Sequence, residues 1–396
     1  MDFPGRFADL PVATWPRLRG LLDPVPPGGE VINMTIGEPR HAMPDFVGEV
    51  LAENLSGFAR YPANDGTQAH IEAIAGLLAR RYGLDVAAEQ ILTLNGTREG
   101  LYNAAMALSP EEKDGQRPAV LLPNPFYQVY AVAALSVNAD PIYMPATAET
   151  GHLPDFDAVP EDILARTTIA YVCSPSNPQG AVADAAYWRK AIALAERHDF
   201  KIFADECYSE VYRDTPPAGA LQVAQEMGAD PERVVIFHSL SKRSNLPGLR
   251  SGFAAGGPLS IGLMRQLRAY AGAPMPDPLQ AVAARAWADD NHVETSRALY
   301  QEKYAIADEM LGDLPGYAPP QAGFFLWLPV DDGEQAALTL WKKTGVRVLP
   351  GGYLSREVNG INPGQGYIRV AMVAEKDELR RGLSLIRSCL FEGGSS

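Results

Sequence analysis

The chain is 396 residues long with 46% hydrophobic and 21% charged residues, which excludes a disordered or fibrous protein and allows a large buried core. A formal net charge of −14 argues against nucleic acid or an anionic membrane as partner, so anionic ligands must meet cations placed locally. The 3 cysteines and 6 histidines fall in no metal-ligand spacing, and neither a leader peptide nor an apolar stretch of about 18 residues occurs. The expectation is a cytoplasmic protein without a metal, built as two domains or as one large domain with a smaller companion.

In chain order, the proline-rich start, including Pro24, Pro26 and Pro27, reads as an ordered arm. Residues 67–82 place Ile71, Ile74, Leu77 and Leu78 on one helical face, with Gly83 as the stop signal. Short apolar runs at 91–94, 119–122, 169–173, 201–204, 234–237 and 251–255 then predict strands, most of them buried on both faces. Helical patterns such as 101–108 and 186–198 lie between them, and strand–helix repetition implies a mostly parallel sheet with covering helices. In such sheets ligands gather at the carboxyl ends of the strands. Beyond about residue 280 the pattern changes to one long helical segment, 281–311, followed by strands at 323–328 and 367–371. That part reads as a separate, smaller α+β unit.

Polar groups follow the predicted strands at intervals. Asn95, Gly96, Thr97 and Arg98 form a glycine turn at a helix start, where free N–H groups and the helix dipole suit a phosphate, or where a plain N-cap carries a surface arginine. Tyr127, in a cluster with Phe126 and Tyr130, could stack on a planar ring or pack the core. Asn177, held between Pro175 and Pro178, could aim its amide at a ring oxygen or merely form a turn. Asp205, at the end of a buried run, carries a desolvation cost unless a cation faces it, whether a protonated pyridine nitrogen or an arginine; helix capping is the other use. Finally Ser239, Ser241, Lys242 and Arg250 place an amine beside an anion clamp on a single turn. Read alone, that turn is either an exposed loop or a lysine that forms a Schiff base with an aldehyde cofactor.

Taken together, Thr97, Tyr127, Asn177, Asp205, Tyr208, Lys242 and Arg250 occur in an order that resembles the fold type I pyridoxal-phosphate aminotransferases of class I/II, across nearly the whole chain. The resemblance implies a three-layer α/β fold, with a mostly parallel central sheet like that of aspartate aminotransferase and a smaller α+β domain. It implies an arm and part of the small domain at 1–45, a large cofactor-binding domain at 46–284 and a small domain at 285–396. By the same resemblance the cofactor is pyridoxal 5′-phosphate, bonded to Lys242. Ser239, Ser241, Arg250, Thr97 and Arg98 hold its phosphate, Tyr127 stacks on its ring, Asn177 and Tyr208 meet the ring oxygen, and Asp205 pairs with the ring nitrogen. Arg369 grips the substrate α-carboxylate, Gly37 lies in a glycine turn at the mouth, and Tyr61 reaches the phosphate of a neighbouring subunit, which implies a homodimer with shared sites.

A finer resemblance, carried by residues 36–44, 239–250, 348–356 and 362–364, is to bacterial N-succinyl-L,L-diaminopimelate aminotransferases of lysine biosynthesis, which implies glutamate and 2-oxoglutarate as the amino pair. A polyanionic substrate would need a second cation, with Arg40, Arg98 and Arg356 as candidates. The alternatives are an aminotransferase for aspartate, alanine, aromatic acids or acetylornithine, and a pyridoxal-phosphate lyase on the same fold.

Overall fold

The computed structural model describes residues 5–8 and 10–392. The apolar runs form strands β1 Ile91–Leu94, β2 Ala119–Asn124, β3 Asp140–Pro145, β4 Thr167–Cys173, β5 Lys201–Asp205, β6 Val234–Ser239 and β7 Gly252–Gly256. They join one seven-stranded sheet in the order β1-β7-β6-β5-β4-β2-β3, in which β7 alone runs antiparallel to its neighbours.

Because side chains alternate along a strand, each apolar run feeds two layers. Ala170, Val172, Ile202, Ala204, Val234 and Ile236 join one core with Trp188 and Ile192 of helix Ala185–His198. Ile169, Tyr171, Phe203, Val235 and Phe237 join the opposite core with Leu101 and Ala104 of helix Thr97–Leu108. A sheet between two helical layers is the result. Strand β3 was not expected from the sequence, since Pro141 and Pro145 lie within it; it is the sheet edge, where a missing backbone donor is tolerated.

A second, antiparallel sheet has the order β9-β10-β8, from β8 Phe325–Pro329, β9 Leu349–Pro350 and β10 Tyr367–Ala371. Arg369 sits on its central strand, opposite Leu349 on one side and Trp327 on the other. The start of the chain returns to this part of the molecule. Ile32 and Asn33 pair in parallel with Val346 and Arg347, and Leu18 and Leu22 of helix Thr14–Leu22 pack with Trp341, Leu349 and Tyr353.

The single helical segment expected at 281–311 is two helices, Asp277–Ala288 and Asn291–Leu311, broken at Asp289 and Asp290. Short acidic side chains favour such a break, because they bond to free N–H groups at a helix start. Asp289 Oδ2 accepts from the His292 N–H at 3.2 Å. The buried guanidinium of Arg243 fills the corner, donating to the Ala286 carbonyl and to Asp290 Oδ1, both at 2.7 Å. Arg243 directly follows Lys242 on the short helix Leu240–Arg243, so the break anchors the element that carries the amine.

Asp290→Ala should therefore lower stability by about 1 kcal/mol, a charge-assisted hydrogen bond discounted for the half-exposed carboxylate. Urea unfolding would show a lower midpoint at constant slope, and an unchanged midpoint would contradict this account of the corner.

Candidate active site

Strands β1, β2, β4, β5 and β6 all end at the same edge of the sheet, and their registers bring the polar residues level. Cys173 lies opposite Asp205 and Asp205 opposite Phe237, while Ser239 lies opposite Gly252 and Gly252 opposite Leu94. A pocket of about 230 Å³ opens there. Thr97, Arg98, Tyr127, Asn177 and Asp205 line it, as do Tyr208, Ser239, Ser241, Lys242 and Arg250.

Two glycines bring the anion-binding groups together. Gly96 has φ +84°, and a Cβ there would lie 2.3 Å from Arg250 Nη2, so only glycine lets the guanidinium rest against the start of helix Thr97–Leu108. A Cβ on Gly252 would lie 2.6 Å from the His238 carbonyl and 3.4 Å from the Thr97 nitrogen. Arg250 is held by the carbonyls of Pro247 at 3.1 Å and Asn95 at 3.4 Å. Ser239 Oγ accepts from the Ser241 N–H at 3.1 Å and lies 3.0 Å from Ser241 Oγ. Helix dipole, hydroxyls and guanidinium thus converge as a phosphate requires.

Lys242 Nζ donates to the Gly37 carbonyl and lies 5.4 Å from the centre of the Phe324 ring. Burial brings its pKa down to about 8; the charges of Arg369 and Arg250 push the same way, while Cys207 and Glu38 oppose. Asp205 is fully enclosed. Burial raises its pKa, and donors oppose the rise: the Cys207 thiol, Tyr130 Oη at 2.6 Å to Oδ2, and the Cys207 N–H at 3.3 Å to Oδ1. The neighbouring carboxylate, Glu206, points away and accepts from the Ala220 N–H at 2.8 Å, at the start of helix Ala220–Met227.

Tyr208 packs edge-on against Phe324 and Phe325, and burial raises its phenol pKa well above the ordinary value, so it stays a donor. Asn177 Oδ1 accepts from Arg369 Nη1 at 2.9 Å, and Arg369 Nη2 donates to the Thr35 carbonyl at 2.7 Å. The Arg369 guanidinium lies 4.2 Å over the Phe325 ring; burial lowers its pKa to about 10, which leaves it charged at neutral pH.

Not every predicted residue enters the pocket. Arg40 pairs with Glu378 at 3.2 Å and donates to the Asn33 carbonyl at 3.3 Å, away from the pocket wall. Arg356 lines a different cleft, beside Arg6 and Arg117. Tyr61 is fully exposed and outside its own chain's pocket. Arg98 does line the pocket, but its Nε donates to Tyr127 Oη at 2.7 Å. Sequence reasoning missed Tyr130, which it left to core packing, and the wall residues Cys173 and Pro247. For Tyr130 the signal was its place three residues after Tyr127, on the same face of a helix start. Cys207, 3.1 Å from Thr97 Oγ1, has a thiol pKa pushed well up by burial, so it is an unreactive part of the wall.

Residues 29–386 match the model of the aminotransferase class I and II family, so the chain is a class I/II aminotransferase. Members of this family depend on pyridoxal 5′-phosphate. LL-diaminopimelate aminotransferase from Dehalococcoides mccartyi is 31% identical over 370 residues, covering 90% of each chain. An aminotransferase structure from Neisseria meningitidis superposes with a TM-score of 0.92 at 36% identity, covering 98% of this chain and 99% of that one. A probable N-succinyldiaminopimelate aminotransferase from Thermus thermophilus superposes with a TM-score of 0.83 at 25% identity, covering 96% and 100%. The pocket fits the cofactor: the glycine cradle leaves room for a phosphate, Asp205 is a buried carboxylate in need of a cation, and Lys242 is a lysine of lowered pKa.

Two outcomes follow from this geometry. If Lys242 is the amine that captures the cofactor's aldehyde, the capture rate in the cofactor-free protein should rise about tenfold per pH unit below about 8 and level off above it. Stopped-flow absorbance would check this, and a midpoint near that of an ordinary lysine would contradict it. Gly96→Ala should weaken cofactor retention about tenfold or more, through left-handed strain and the clash with Arg250, as read by equilibrium dialysis.

Proposed function

We propose that the chain is an aminotransferase of diaminopimelate formation, exchanging the amino group between glutamate and the 2-oxo acid of N-succinyl-L,L-diaminopimelate. What carries this reading is one pocket lined by Lys242, Asp205, Asn177 and Arg250, in a chain whose relatives are named for diaminopimelate. The cofactor supplies an electrophilic aldehyde and an electron sink. Lys242 would hold the cofactor through its Nζ and, once the substrate amine has taken its place, its free Nζ would carry the α-proton as base and acid. Asp205 would pair with the ring nitrogen and favour its protonated form, Tyr208 and Asn177 would meet the ring oxygen, and Tyr127 would stack on the ring. Thr97, Ser239, Ser241 and Arg250 hold the phosphate. Arg369 takes the substrate α-carboxylate, an anion suited to its planar fork.

For the far end of the substrate, Arg98 is the supported cation, since it lines the pocket and is steadied by Tyr127. Arg40 is engaged by Glu378. Arg98→Ala should raise KM for the succinylated oxo acid about tenfold, with a smaller effect on the glutamate half-reaction. Equal effects on both would sink this assignment. The names of several relatives favour a second reading, in which the unsuccinylated diaminopimelate pair is used. Assaying glutamate-loaded enzyme with the succinylated and the unsuccinylated acceptor separates the two. Turnover only with aspartate, alanine or aromatic acids, or pyruvate release without an acceptor, would reject both.

We further propose a homodimer whose subunits share sites. Leu55, Phe58 and Tyr61 are 53%, 54% and 103% exposed within one stretch of chain, an apolar surface that a second copy would cover. Inactive Tyr61→Ala and Lys242→Ala chains, mixed and re-annealed, should regain about a quarter of the wild-type sites, because half the dimers carry one complete site. Mixtures that stay inactive although hybrid dimers form would rule out shared sites.

A further inference from the structure

Tyr130 is wholly buried, yet its hydroxyl is not idle. It donates to Asp205 Oδ2 at 2.6 Å, a short contact of the kind made to an ionised acceptor. The ring cannot swing away, because it stacks on Tyr171 at 4.6 Å and 16°, and Tyr171 is itself fixed by donating to the Leu101 carbonyl at 2.7 Å. The helix that presents Tyr130, Gln128–Ser136, begins directly after Tyr127, so ring-stacking and carboxylate-holding side chains leave one helix start together. Edge-on contact at 5.7 Å joins those two rings.

We infer that Tyr130 is a positioning residue for the transamination: by occupying Asp205 Oδ2 it fixes the carboxylate plane and keeps it ionised, which in turn keeps the cofactor's ring nitrogen protonated. This rests on the assignment of Asp205 to that nitrogen. The other groups facing Asp205 are Cys207, through its N–H and its thiol, a weak donor, Cys173 on the adjacent strand, and His238. None of these replaces Tyr130. The Cys207 N–H lies 3.3 Å away on the other oxygen, Cys173 Sγ lies 3.4 Å from the Pro175 carbonyl, and His238 Nε2 lies 3.1 Å from Glu206. Without the Tyr130 hydroxyl the carboxylate would lose its shortest hydrogen bond and keep only the thiol and N–H of Cys207, so it would hold a proton more readily.

The test uses holoenzyme loaded with cofactor carrying ¹⁵N in its ring. Wild-type enzyme should give the shift of a protonated pyridine nitrogen. In Tyr130→Phe the shift should move toward that of the neutral ring across neutral pH, with kcat down about tenfold and the KM values nearly unchanged. Tyr171→Phe, which removes a buried hydroxyl from the same stack without touching Asp205, should leave the shift in place. A Tyr130→Phe shift equal to wild type overturns the inference, even if stability falls. An unprotonated nitrogen in wild type overturns the Asp205 assignment instead. Should Tyr130→Phe fail to fold, the wild-type proton spectrum decides: a strongly downfield, exchange-protected hydroxyl proton that disappears in Asp205→Asn supports the inference, and its absence overturns it.

Discussion

Placing a carboxylate at the closed end of a pocket constrains everything around it. Asp205 ends β5, flanked by β4 and β6, and only 6% of it is exposed. A charge there must be met from within the protein or be lost to protonation. Donors arrive from two directions: Cys207 from just beyond the end of β5 and Tyr130 from the helical layer above. The second requires that helix Gln128–Ser136 lie over the sheet at one height, and the Tyr130–Tyr171 stack sets that height. Register, helix layer and carboxylate form one arrangement, and a shift of one strand by a residue would turn Glu206 inward in place of Asp205.

The cations pose the opposite problem. A chain of net charge −14 gathers Lys242, Arg250 and Arg369 around one pocket, and the two arginines both push the lysine's pKa down. Repulsion among like charges is unfavourable for folding, but here it adds to burial, the larger cause, in bringing the lysine's pKa down to about 8. A bound phosphate offsets the repulsion. Cofactor binding and stability are thus linked, since the ligand supplies the charge that the folded pocket lacks.

How much of this was legible in the sequence depended on whether the feature is local. Unbroken apolar runs such as 169–173 and 234–237 report burial on both faces directly, and the central strands follow from them. β3 did not, because a proline-bearing edge strand looks like a turn until its neighbour is known. The pair Asp289 and Asp290 was a readable break, yet helical periodicity on either side outweighed it. At the site, the order of polar residues after strands located the pocket wall, but cation partners were beyond reach: Arg40 goes to Glu378, more than three hundred residues away in sequence. Tyr130 was read as core, which its ring is. Only the third dimension shows where the hydroxyl points.

Lys242 and Arg369 are already met by neutral acceptors, and this decides what an incoming anion would gain. Lys242 donates to the Gly37 carbonyl, and Arg369 to the Thr35 carbonyl and to Asn177. Both carbonyls belong to one short stretch, held tightly because a Cβ on Gly37 would lie 2.3 Å from the Phe325 ring. A carboxylate reaching Arg369 would therefore exchange a neutral acceptor for a charged one, and would gain the difference between the two, not the full strength of an ion pair. Neutral acceptors, being weaker than carboxylates, occupy these buried cations without competing strongly for them, and Arg369 Nε keeps no partner among the described residues. A glutamate side chain in the same place would hold Arg369 too well to release it.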